Sequence, residues 1–206
     1  MEQRIIDKAH ELFFRYGIKA VTMDDMATKM GVSKKTLYQH FADKHSLVEA
    51  VVRKEIAADE AECHCNLKNS ENAVHETFLA LAMMQEMLET MNPSIIFEME
   101  KYHPSAFDIF KQHKNQFIYK MIRENIKRGM AEGMYREGLD ADVLAKFRIE
   151  SIFIPFNPEL FPPHKYNILE TETQLMEHFL YGICTSKGQK QIEKYFKQRA
   201  KTKQHA

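Results

Sequence analysis

Apolar residues along this chain recur at intervals of three and four rather than two, and glycine (seven) and proline (six) are scarce, a pattern that predicts an all-helical protein. In residues 2–16, Ile5, Ala9, Leu12, Phe13 and Tyr16 form one stripe while Glu2, Lys8, Glu11 and Arg15 lie off it; Gly17 is a stop signal. Thr22 then stands where an N-cap belongs. Asp24 and Asp25 are placed to meet the positive end of the helix dipole, and Met26, Ala27 and Met30 face inward before Gly31. Ser33 caps a third helix in which Leu37 and Phe41, four apart, bury together and leave Lys34, Lys35, Thr36 and Gln39 outside. Asp43 caps a fourth, which begins near Lys44, carries Leu47, Val48, Val51 and Val52, and runs on as a polar connector to about residue 62.

Longer helices follow. Val74, Phe78, Leu81, Leu88 and Met91 keep helical spacing, and a short helix with Ile96, Phe97 and Met99 ends before Pro104. Phe107, Phe110, Phe117, Met121 and Ile122 stripe a long segment that stops near Gly129 or Gly133. After the loop "MYREGLD", residues 141–154 are helical until Pro155, and beyond the proline-rich "PFNPELFPPHK" come a penultimate helix in "ETETQLMEHFLYGIC" and a terminal one in "GQKQIEKYFKQRAK". No fixed period repeats, which argues against a solenoid. No apolar run approaches the ~18 residues of a membrane span, and the first twenty residues lack a signal-peptide core, so a cytosolic protein is expected.

With 206 residues, 44% hydrophobic and 28% charged, the chain has enough apolar surface for a core and enough charge to stay in solution. Basic and acidic residues balance at 29 each, yet residues 1–54 hold ten basic and seven acidic ones, so the basic surplus sits at the amino-terminal end. That end contains two short helices joined by the turn "GVSK", the arrangement of a helix-turn-helix, and a basic, hydroxyl-bearing face on the second suits a DNA groove. On charge alone a solvated helix hairpin fits equally well.

The order "AxxLFxxxGxxxxTxxxxAxxxGVSxxTLYxHFxxKxxL", from Ala9 to Leu47, strongly resembles the DNA-binding domain of TetR-family transcriptional regulators over about the first quarter of the chain. The resemblance implies an amino-terminal three-helix helix-turn-helix domain at residues 1–47 (helix-turn-helix about 22–41), joined through helix four to a larger helical effector-binding and dimerisation domain at 48–206. By similarity, Thr22, Tyr38, His40 and Lys44 grip the phosphate backbone, and Lys34, Lys35, Thr36 and Gln39 lie in or beside the major groove. It further implies a homodimer, which reads a palindromic double-stranded operator as a repressor and is released by a small effector. Leu144, Phe147, Leu175, Phe179, Gly182 and Ile183, on residues 140–154 and 168–185, are the expected dimer face. Met84, Met87, Phe97, Phe107, Phe110, Phe117 and Met121 are the expected pocket for a largely hydrophobic effector, with Glu98, Glu100, Tyr102 or His103 as polar anchors. A DNA-binding nucleoid or division factor with no effector is the second reading.

A helical metalloenzyme is a distant third. Glu100 and His103 match a Glu-x-x-His pair, but that chemistry needs two such pairs and two further carboxylates. The cysteines are three, Cys63, Cys65 and Cys184, and reduced thiols are the default. In "CHC", Cys63 and Cys65 point about 200° apart on a helix, and no second Cys/His pair follows at zinc spacing. Neither catalysis, a cofactor nor a bound metal is expected, since no phosphate loop, nucleophile elbow or metalloprotease helix occurs.

Overall fold

A computed structural model describes residues 1–204, with side chains to residue 200. The described residues form eleven α-helices: α1 (Glu2–Tyr16), α2 (Met23–Met30), α3 (Lys34–His40), α4 (Lys44–Asn69), α5 (Ala73–Thr90), α6 (Ile95–Tyr102), α7 (Pro104–His113), α8 (Tyr119–Ala131), α9 (Ala141–Phe153), α10 (Ile168–Ile183) and α11 (Ser186–Gln204). No described helix is long and apolar enough to cross a membrane. The architecture is all-α, an amino-terminal helix-turn-helix followed by a larger helical region. By contacts the chain divides into two compact units, Met1–Glu62 with Glu86–His113, and Cys63–Gln85 with Lys114–Ala206, so α4 and α5 each contribute to both.

In the first unit α1 buries Ile5, Ala9, Leu12 and Phe13 as its spacing predicts. Tyr16 departs from that stripe and is 47% exposed. The chain turns away at Gly17 one residue later, and Arg15 packs over the Tyr16 ring from outside. Met23, Met26 and Ala27 of α2, Leu37 of α3, and Leu47, Val48 and Val51 of α4 complete the small core around α1 to α4. Asp43 caps α4 by accepting from the Ser46 N–H at 2.8 Å. This helix continues to Asn69, a full two turns past the expected end, because alanines and long polar side chains in residues 57–69 favour helix without requiring a buried face.

The second unit gathers Ala73, Val74, Phe78 and Leu81 of α5, Ile126 of α8, Ala145 of α9, Met176, Phe179, Leu180 and Ile183 of α10, and Ile192 and Tyr195 of α11 into one core. Tyr135, which the sequence places in a loop, is buried at its centre and donates to Asn125 at 3.0 Å. The long helix expected across residues 107–129 is in fact α7 and α8 with a π-helical turn, Lys114–Ile118, between them. A π-turn inserts one residue per turn and so interrupts the even α-helical stripe expected across this segment.

Candidate nucleic-acid interface

Helices α2 and α3 are set in place by short-range bonds. At the start of α2 the Thr22 hydroxyl accepts from the Asp25 N–H at 3.1 Å, and Asp25 accepts from the Thr22 N–H at 2.9 Å and from its hydroxyl at 2.6 Å. This reciprocal cap satisfies two donors the helix would otherwise leave open. The Thr22 hydroxyl also holds the Asp25 carboxyl below the usual carboxylate range. Gly31 ends α2 with φ 66° and ψ 34°, a left-handed conformation that a side chain would oppose, and the Val32 N–H reaches back to Ala27 at 3.0 Å. Ser33 then opens α3 by accepting from the Thr36 N–H at 3.1 Å.

Leu37 is wholly buried and Phe41 nearly so, which anchors the inner side of α3 and turns Lys34, Lys35, Tyr38, Gln39 and His40 to solvent. Of the groove-side set, Lys35 and Gln39 stand clear, Lys34 pairs with Asp24 of α2, and the half-buried Thr36 shares its hydroxyl with Ser33 at 2.8 Å. Of the backbone-gripping set, Tyr38 and His40 are exposed, and Thr22 is exposed but engaged in its cap. Lys44, the fourth of that set, is half-buried. Its ammonium donates to the Ile18 carbonyl at 2.6 Å under the Phe13 ring, and burial lowers its pKa.

Helix α6 is joined to this domain within the first unit. Glu98 accepts from the Lys19 N–H at 2.8 Å and from the Ser94 hydroxyl at 2.9 Å. A side chain at Gly17 would begin 3.1 Å from the Glu98 carboxylate, so glycine is what lets the loop after α1 approach. At the other end of α6, His103 is buried against His45, with ring centres 4.6 Å apart and Nδ1 without a hydrogen-bond partner among the described residues. Of the other expected anchors, Glu100 and Tyr102 are exposed.

The expected pocket residues fall in both units. Met87, Phe107 and Phe110 are half-buried in the first, where Phe97 is 52% exposed. In the second, Met84 packs on the core and Phe117 stands edge-on to His64. Met121 lines a surface hollow of about 400 Å³ shared with Leu67, Glu76, Asn125 and Arg128. Of the expected dimer residues, Phe147 is 57% exposed and Gly182 open, Leu144 and Leu175 are half-buried, and Phe179 and Ile183 belong to the unit's own core. The sequence missed two exposed apolar residues, Val143 on α9 and Ile154 just after it, although four-residue steps from Phe147 would have found the first of them.

Residues 5–51 match the sequence profile of bacterial regulatory proteins of the tetR family. Over 187 residues the chain is 26% identical to the HTH-type transcriptional regulator YvaF of Bacillus subtilis, covering 89% of this chain and 95% of that one. It is 25% identical over 190 residues to the HTH-type transcriptional repressor KstR2 of Mycolicibacterium smegmatis, covering 90% and 92%. Among solved structures, a transcriptional regulator from Cytophaga hutchinsonii superposes with a TM-score of 0.71 at 20% identity, covering 89% of this chain and 98% of that one. A regulator from Saccharomonospora viridis in complex with choline gives 0.70 at 20% identity, covering 89% and 97%.

Proposed function

Because this chain is a TetR-family transcriptional regulator, we propose that it acts as a homodimeric repressor, which reads a palindromic operator with α3 and releases it when a small molecule binds. The observation that carries the reading is the pairing of a fixed inner side of α3, Leu37 and Phe41, with a free outer side of Lys35, Tyr38, Gln39 and His40. An amide and an ammonium on a rigid helix can address base edges, while hydroxyls and helix ends address phosphates. In this reading residues 1–47 are the DNA-binding domain and 48–206 the effector and dimer domain.

Support for the dimer comes from the surface of α9 and its flanks. Val143, Phe147, Ile154 and Tyr181 are exposed. An apolar stripe of this kind on adjacent helices suits a second copy more than water. A two-fold pair of reading heads projects its symmetry onto DNA, with half-sites about one helical turn apart or a small step beyond. For the effector, the Met- and Phe-rich set favours an apolar molecule, and the choline complex of the S. viridis regulator adds cations to the compounds worth testing. Release requires that the ligand prefer a conformation whose reading heads are wrongly spaced.

The test is selection of bound sequences from random duplexes by the purified protein, followed by titration. An inverted repeat is expected, and Gln39→Ala should flatten preference at one base pair of each half-site by about 1–3 kcal/mol. A preferred site without inverted symmetry rules the dimeric reading out. Strong operator binding that no apolar or cationic compound relieves favours a DNA-binding factor without an effector.

A further inference from the structure

At the start of α4 the cation expected to hold a phosphate, Lys44, is turned inward onto the Ile18 carbonyl. Two other lysines are exposed beside the same loop. Lys19 lies three residues before the Thr22 cap, and Lys101 lies in the last turn of α6. Each ammonium sits 5.5 Å from the centre of the Tyr102 ring, and Lys101 is equally far from the Phe97 ring. Among the described residues neither ammonium has an ion-pair partner. The Glu98 carboxylate on the same helix accepts from the Lys19 backbone N–H and from Ser94.

An aromatic face attracts a cation, which accounts for one lysine on Tyr102. Two like charges gathered on one exposed ring repel, and an anion beside them removes that cost. Duplex DNA supplies anionic charge continuously, roughly one per 1.7 Å of axis, and Lys19 lies three residues before Thr22, which the resemblance assigns to the phosphate backbone.

We propose that Lys19 and Lys101, gathered on Tyr102, form a second phosphate-contacting edge through which α6 widens the reading head's grip on the DNA backbone. The proposal rests on that DNA-reading function. An ammonium on a flexible stem meets phosphate as a point charge and does not select bases, so this edge adds affinity and leaves sequence preference alone. It also makes α6 a direct participant in DNA binding, because any motion of this helix moves Lys101 relative to the duplex.

The experiment titrates the full-length wild type and its Lys19→Gln, Lys101→Gln and doubly substituted forms against the selected operator and a scrambled duplex, over about a fourfold range of salt. Each single change should lower affinity for both duplexes by the same factor and reduce the slope of log affinity against log salt by about one, the double by about two. Lys101→Glu should weaken both further and Lys101→Arg should restore the wild-type slope, with thermal melting verifying that each variant is folded. Equal salt slopes for wild type and the double variant overturn the proposal, as does a loss confined to the operator. A wild type that binds neither duplex overturns the DNA-reading function and this edge together.

Discussion

The amino-terminal head, residues 1–47, and the second unit are both bundles of helices, but they are held by bonds of very different reach. In the head, helices of eight and seven residues, too short to persist alone, are fixed by side chains three positions away, Thr22 with Asp25 and Ser33 with Thr36, and Asp43 with Ser46 opens α4 in the same way. In the second unit the polar bonds join distant parts of the chain. Asn72 donates to the Tyr195 hydroxyl at 3.0 Å, Tyr135 to Asn125, and Arg148 to Glu172. The head thus depends on many small local terms, while the second unit depends on a few buried groups, any one of which is costly to orphan.

The largest effect expected from that difference is at Arg148. Its guanidinium is buried, donates to Glu172 at 2.5 Å and to Ser151 at 3.2 Å, and lies 5.7 Å from the centre of the Phe179 ring. Glu172 is fully buried, and its Oε2 has no hydrogen-bond partner among the described residues. Burial raises the Glu172 pKa and the Arg148 charge opposes the rise. Arg148→Ala should therefore cost about 3–5 kcal/mol in urea unfolding, because a buried carboxyl loses its partner. The double change Arg148→Met, Glu172→Leu should recover most of that loss. A single variant within about 0.5 kcal/mol of wild type would remove the contrast with the head.

The first unit also has contacts between distant parts of the chain, and pH probes one of them, His103 at the end of α6 against His45 of α4. Burial lowers the His103 pKa to about 4, with His45 and Lys44 adding repulsion and Asp43 and Glu98 opposing it. The folded state keeps this ring neutral, while in the unfolded chain it titrates near its ordinary value of 6.5. Unfolded molecules then bind more protons between those two values, so His103 contributes stability that is whole above about pH 6.5 and declines as pH falls towards 4. By about pH 5.5 the loss should be about 1–2 kcal/mol. Urea unfolding at neutral and at mildly acidic pH, with His103→Gln as the control, isolates it. If wild type and variant lose stability in parallel, His103 is not the group responsible.

This division also explains what could be read from the chain beforehand. Ile5, Ala9, Leu12, Phe13, Leu37, Phe41 and the three caps are where spacing and capping chemistry put them, because both signals act over one helical turn. Tyr16 failed at the boundary where the turn ends. The contact of Lys44 with the Ile18 carbonyl, 26 residues earlier in the sequence, leaves no local signal to read. The expected dimer set mixed exposed Phe147 with buried Phe179 and Ile183, since an apolar stripe does not reveal whether its partner is a neighbouring helix or a second copy. Arg148, Glu172 and Tyr135 carried no local signal at all.

The smallest expected effect tests whether the head's local bonds serve stability, DNA or both. Thr22 is exposed, its hydroxyl both accepts from the Asp25 N–H and donates to the Asp25 carboxylate, and resemblance assigns the same hydroxyl to a phosphate. Thr22→Ala should cost about 1 kcal/mol in thermal or urea unfolding, the usual worth of an N-cap. Thr22→Asn restores a capping oxygen and should melt close to wild type, while Thr22→Ser keeps cap and hydroxyl together. DNA affinity then separates the roles. If the hydroxyl meets phosphate, Ala weakens operator binding, Ser preserves it, and Asn keeps binding only as far as its amide N–H replaces the hydroxyl donor, with stability following a different order. Should affinity track stability across all three, Thr22 acts on DNA only by holding α2 in place. Equal melting of the Ala and Asn forms would instead show that this cap is not what fixes the head, and the contrast between its local bonds and the buried groups of the second unit would lose its clearest case.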